Sequence, residues 1–273
     1  MSPHATRWLR NRAFLGVTAL AVAVIVFRVP SLDREDSALL SGWVLVVAIL
    51  MLVLFNVRKK LPFIPLLTAS TWLQFHAYVG VFAAAIFLLH THGRYPDGVL
   101  DSFLWFFFVL LALSGFFGIW LSRVLPHRMR SRGEAVLFER IPVYRARLAA
   151  EVEALAAGSV KESGSSVIAE LYSARIRRFL AGNGSTIGHI FESRRALNGV
   201  RRDMRAIERY LPPAGRECLA AIDERLIAKD GLDYQHALHS LMKGWLFVHI
   251  PLAYGILPLI AIHIILFYAF GRI

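Results

Sequence analysis

His76 and His90 stand fourteen residues apart in one apolar stretch, and His249 and His263 repeat that spacing in another. A neutral imidazole offers a nitrogen lone pair to a metal, and a histidine inside a bilayer is costly unless it is paired or ligates something. On a helix, fourteen steps come to roughly four turns, so the two histidines of a pair share a face about 21 Å apart. Two such helices running in the same direction present two stacked imidazole pairs, and two trans imidazoles suit the axial positions of a haem iron. Zinc and copper sites gather three or four donors at one level, often with carboxylate or thiolate. Neither histidine stretch contains an acidic residue or a cysteine, so the donor inventory favours iron porphyrin.

The elements that position these imidazoles are membrane spans. Apolar residues make up 56% of the 273 positions, and the mean hydropathy is +0.53, values that exclude an ordinary soluble domain. Five spans are predicted, at Ala13–Phe27, Ala38–Phe55, Trp72–His90, Phe103–Leu121 and Trp245–Phe270. The first also reads as a signal-peptide core behind Arg7, Arg10 and Arg12; its removal leaves four spans and does not move the histidine helices. We count it as a span.

Arg7, Arg10, Arg12, the run Arg58-Lys59-Lys60, and Arg123, Arg128, Arg130 and Arg132 all fall on one side of the spans, which the positive-inside rule makes cytoplasmic. The expected setting is a bacterial inner membrane with the N-terminus in the cytoplasm and the C-terminus in the periplasm. Spans three and five then both run outward. They are parallel, so His76 is expected opposite His249 near the inner face and His90 opposite His263 near the outer face.

Between spans four and five lies a polar segment of roughly 120 residues, too long to be structureless. Helices are expected near Glu134–Ala157, Ser166–Leu180, Ile190–Leu211 and Ala214–Lys229, with breaks at Gly158–Ser166, Gly182–Gly188 and Pro212-Pro213. The expected organisation is therefore all-α: residues 1–122 carry four spans, 123–240 form a cytoplasmic helical insertion, and 241–273 form the fifth span. The net charge of +12 follows largely from the positive-inside bias. From Arg123 to Ser240 there are 20 basic and 14 acidic residues, spread through helical sequence, which points to anionic lipid heads and away from nucleic acid. The single cysteine, Cys218, excludes an intrachain disulfide, a cysteine-ligated iron–sulfur cluster and a c-type haem attachment.

Small residues make room for a flat macrocycle between helices. Gly80 lies one turn beyond His76, Gly115 and Gly118 lie on span four, and Gly255 lies on span five; ordinary close helix packing reads the same way. Pro251 and Pro258 are expected to kink span five. Arg58, Lys59, Lys60 and Lys243 are placed for the propionates of an inner haem and Arg94 for those of an outer one, although snorkelling cations follow the same pattern. Trp72, Phe75, Phe87, Trp105, Trp245 and Phe247 read either as walls of the porphyrin sites or as interface belt and core. His92 competes with His90, but sixteen steps from His76 turn it to the opposite face. His236 and His239 read as a proton or quinone site or as a solvated helix face. His4, His127 and His189 lie outside the spans and carry no evident chemistry.

The motifs His76-x13-His90 and His249-x13-His263 resemble the four haem ligands of the membrane-integral di-haem cytochrome b superfamily. The resemblance covers spans three to five. It implies two haems b (protohaem IX with iron) held between parallel helices and electron transfer across the membrane, with His76, His90, His249 and His263 as ligands. The chain departs from the large respiratory cytochrome b in length, in its long insertion, and in lacking a Pro-Glu-Trp-Tyr motif. Those departures fit a smaller cytochrome b subunit of an oxidoreductase complex, serving a redox partner protein and a quinone or second partner. The rival expectation is a non-redox transporter or receptor whose histidines bind a transition metal or relay protons.

Overall fold

The computed structural model describes residues 34–58, 68–132, 136–163, 166–182 and 184–270. The predicted span Ala13–Phe27, Lys59, Lys60 and the side chain of Arg58 lie outside the described residues. Every regular element among the described residues is helical. Four helices are long and apolar enough to cross a membrane: α1 (Arg34–Arg58), α2 (Ala69–His90), α3 (Val99–Arg130) and α9 (Pro213–Phe270). The chain is an all-α membrane protein. It divides into two units: one takes α1, α2, α3 up to Trp120 and α9 from Trp245 onward, and the other runs from Leu121 to Gly244.

In the first unit, local chemistry fixes where the histidine helix α2 begins and ends. Thr68 caps its N-terminus, its side chain accepting from the Thr71 amide at 3.3 Å. At the other end the Gly93 amide reaches back to the Leu88 carbonyl at 3.0 Å and the His92 amide to that of Leu89 at 3.2 Å, the pattern of a Schellman stop. His92 takes the left-handed conformation this stop requires, with φ 51°, and its side chain is exposed. The helix therefore ends just past His90, and His92 leaves the face that carries His76 and His90.

α1 and α2 pack backbone to backbone, with the small residues Ala48 and Ala83 buried at the contact. α3 and α9 reach this pair through longer side chains. Phe87 of α2 stacks on Phe108 of α3 with ring centroids 4.1 Å apart, and Ile86 and Ile256 are fully buried beside them. The outward faces are apolar too: Phe106, Leu113, Phe117 and Trp120 of α3 and Phe247 and Ile265 of α9 are all exposed. Such a surface fits contact with membrane lipid, while the spare polar atoms of the unit turn inward.

The second unit adds α4 (Ile141–Ser163), α5 (Val167–Leu171), α6 (Arg177–Ala181), α7 (Thr186–Ile190) and α8 (Arg195–Glu208), with a π-helical turn at Tyr172–Ile176 joining α5 to α6. It has a core of its own, including Val152, Ile168, Ile176, Leu197, Met204, Ile222 and Leu226. Of the residues Val167, Ile168, Leu171, Ile176 and Phe179, which approximate a helical stripe in the sequence, all but Val167 face this core, Val167 is exposed, and Arg175, Arg177 and Arg178 are exposed as well. Two expectations are corrected. The helix expected over Ile190–Leu211 is broken after α7, where Glu192 adopts φ 60°. The helix that starts at Pro213 does not stop at Lys229 but continues for 58 residues to Phe270. Pro251 and Pro258 lie inside it, where each removes one backbone donor.

Candidate functional site

The four histidines of the two spacing motifs meet as cross-helix pairs. The rings of His76 on α2 and His249 on α9 face one another with centroids 6.4 Å apart and planes at 77°. A metal–imidazole bond is about 2 Å long and the ring centre lies about 1 Å behind the bonded nitrogen, so two trans imidazoles on one metal have centroids about 6 Å apart. The spacing of this pair matches that figure. His90 and His263 line a single cavity of about 310 Å³ together with Arg94, Asp101, Trp105 and Tyr268. α2 and α9 thus run parallel in the register His76 with His249, His90 with His263.

Three of the four rings are tied at Nδ1. His90 Nδ1 lies 3.1 Å from the Ser41 hydroxyl of α1, which itself donates to the Ser37 carbonyl at 2.7 Å. With its own proton committed, Ser41 accepts from the imidazole, so Nδ1 carries the hydrogen and Nε2 keeps the lone pair. His249 Nδ1 lies 3.1 Å from the Ser114 hydroxyl of α3, which also stands 3.2 Å from Trp245 Nε1. His263 Nδ1 donates to the Asp101 carboxylate at 2.8 Å. Fixing a histidine through one nitrogen and leaving the other for the metal is how proteins orient such ligands. His76 is the exception: its Nδ1 is buried, and the Leu52 carbonyl lies beside the ring without meeting hydrogen-bond geometry.

Aromatic and small residues set the remaining walls. Trp245 stacks on His249 at 5.1 Å, and Phe55 lies 5.0 Å from His76. Trp245 is itself held by an indole hydrogen bond of 2.9 Å to the Ser114 carbonyl. Gly118 makes that possible, since a Cβ there would run into the Trp245 ring. A Cβ on Gly42 would stand 3.1 Å from His90 Cε1, so this glycine admits the His90 ring against α1. Gly80 and Gly255 are different, for a Cβ on either would meet nothing within 4 Å. The space beside His76 that the flat-macrocycle expectation asks for is open at Gly80.

The other expected residues separate. Arg94 and the walls Phe87 and Trp105 lie on the cavity of His90 and His263. Lys243 sits 3.5 Å above the Phe138 ring and 3.8 Å from Glu139, both in the second unit. Phe247 is 82% exposed and belongs to the outer surface, not to a wall. His236 and His239 pack on Phe138 at 5.0 and 5.7 Å, more contact than a solvated face would give. His189 is buried in the second unit, where burial lowers its pKa against the pull of Asp230 and Asp233.

Sequence reasoning did not single out Ser41, Gly42, Asp101 and Ser114. Ser41 and Ser114 are hydroxyls inside apolar helices, which is a usable signal, whereas Asp101 reads as loop-end charge. An imidazole pair at each of two levels, with three rings held at Nδ1 by neighbouring helices, can grip a planar macrocyclic metal from both sides. Among the described residues no group of three His, Cys, Asp or Glu gathers to hold a bare ion. No protein-family model, curated protein or solved structure matches this chain.

Proposed function

We propose that this protein is a membrane-integral electron-transfer subunit of the di-haem cytochrome b type, with His76 and His249 ligating one haem b and His90 and His263 the other. The observation that carries this reading is the pairing itself: two imidazoles at each of two levels, three of them held at Nδ1, the arrangement that orients Nε2 as the donor to a metal. The zinc or copper reading needs three or four donors at one level, and each level here supplies two. A bound haem b supplies one-electron chemistry, cycling between ferrous and ferric.

The chain's own residues supply the rest. The four histidines would hold the two haems, two imidazoles to each. Ser41, Ser114 and Asp101 hold three of the rings at fixed rotation, and Trp245 backs a ring from the side. Arg94, exposed at the cavity of His90 and His263, is suited to pair with a propionate. Lys and Arg distribution puts the His76 level near the cytoplasm, the polar segment inside, and the C-terminus in the periplasm of a bacterial inner membrane; five spans result when Ala13–Phe27 is counted. A redox partner protein on one side and a quinone or second partner on the other complete the relay.

The test is direct. Protein purified in detergent should show a reducible b-type spectrum with about two protohaems per chain by pyridine haemochrome. Colourless protein, with or without bound zinc, would sink the reading.

A further inference from the structure

The Nδ1 tethers are chemically unequal. Ser41 and Ser114 are neutral hydroxyls at 3.1 Å from their imidazoles, whereas Asp101 is a carboxylate at 2.8 Å from His263. An ionised carboxylate can only accept, so this contact fixes the His263 tautomer outright, and a charge-assisted hydrogen bond is about twice as strong as a neutral one. Asp101 sits in the first turn of α3, where the helix N-terminus favours a negative charge. Gly98 gives the side chain room, since a Cβ there would press on Asp101 Oδ2 at 3.1 Å. Among the described residues Asp101 forms no ion pair with lysine or arginine, so its charge is directed at His263.

We infer that Asp101 is a positioning residue that makes His263 a more basic ligand and so lowers the reduction potential of the iron that His90 and His263 would hold. This rests on the haem reading above. Electron density pushed from carboxylate to imidazole stabilises the ferric state over the ferrous one, and outer-shell carboxylates act on metal-bound histidines in this way. The Asp101 side chain is 46% exposed, so water tempers the effect. The expected size is about tenfold in the ferrous-to-ferric ratio, or about 59 mV for one electron.

The experiment is a spectroelectrochemical titration of the purified full chain and of Asp101→Asn and Asp101→Glu, with the affected haem identified as the one lost in His263→Ala. The expected result is that Asp101→Asn keeps two haems, raises that haem's midpoint by about the stated amount and leaves the other unmoved, and that Asp101→Glu restores the original value. Two haems with unchanged midpoints in Asp101→Asn overturn the inference while leaving the haem reading intact. If Asp101→Asn sheds the haem, Asp101→Glu decides: recovery of both haem and potential supports the role, and failure to recover them overturns it. A wild-type chain that binds no haem overturns the reading and this inference together.

Discussion

The two units of this molecule both bury polar groups, and they treat them in opposite ways. In the second unit the Lys229 ammonium, 1% exposed, donates to the Phe179 and Gly182 carbonyls at 2.7 Å each and to Asp233 at 2.6 Å. All three of its donors are used. Arg145 reaches Asp233 at 3.2 Å and the Gly182 carbonyl at 2.7 Å, while Arg132 lies 3.5 Å from Asp230 and 4.0 Å above the Tyr234 ring. In the first unit three imidazoles are held at Nδ1 by a neighbouring helix. The second cluster is not saturated, since Arg132 Nη1, Asp233 Oδ1 and His189 Nδ1 are buried without a hydrogen bond, but its charges close on one another as a scaffold does; imidazoles paired at two levels make a candidate site.

That contrast breaks most visibly at Lys229. Removing its charge in Lys229→Met leaves the buried Asp233 with Arg145 as its one cation among the described residues and takes the Phe179 carbonyl's donor away, and we expect a loss of about 3 kcal/mol, read as early unfolding and proteolysis of residues 121–244 in detergent. A neutral outcome would mean that the cluster is not what holds the unit together. Next in size, His76→Ala and His249→Ala should each remove the same haem, and His90→Ala and His263→Ala the other, dropping the stoichiometry from two to one with little change in stability. If His76→Ala and His249→Ala removed different haems, the cross-helix register would be wrong. A smaller effect is expected for Ser41→Ala and Ser114→Ala, which keep the ligand but free its ring: haem retention should weaken by about 10–100-fold, measured by transfer to an apo-haem acceptor. Full retention would deny the tethers a role.

The smallest effect belongs to His189, the one buried imidazole of the second unit. Burial lowers its folded pKa below the ordinary 6.5, so the unfolded chain binds the proton more readily. The stabilisation this brings is present above about pH 6.5 and disappears as pH falls through the lower, folded value. His189→Gln should flatten that part of the stability profile in a pH series of thermal melts. An unchanged acid limb would assign the slope to Asp230 or other neighbours.

The cross-helix pairing of the histidines was legible in the sequence because period and topology are local or additive: fourteen residues give a shared face, and counting spans gives direction. Their tethers were not, since Ser41 with His90 and Asp101 with His263 are contacts between helices whose rotation no periodicity states. The continuity of α9 was hidden for a different reason. Its stretch around Lys229, Asp230, Asp233 and Gln235 turns polar side chains inward, so the apolar period that marks a helix fails where the helix is most buried. His189 was passed over because a polar neighbourhood in sequence reads as exposure, whereas here the polarity is folded inside.

Equal spacing on the two histidine helices carries a symmetry that the number fourteen alone does not. At about 100° per residue, fourteen steps fall about 40° short of four full turns. His90 is therefore rotated from His76 about its helix axis, and His263 from His249, by the same angle in the same sense. On parallel helices equal rotations about separate axes carry the two imidazoles to opposite sides of the line between the helices, and a left-handed wrapping of the pair takes up such a shortfall. The two helices thus form a register lock. One residue inserted between His249 and His263 would swing a single imidazole by about 100° and disband one level, and the same insertion made in both helices would swing its two imidazoles to opposite sides and disband it too.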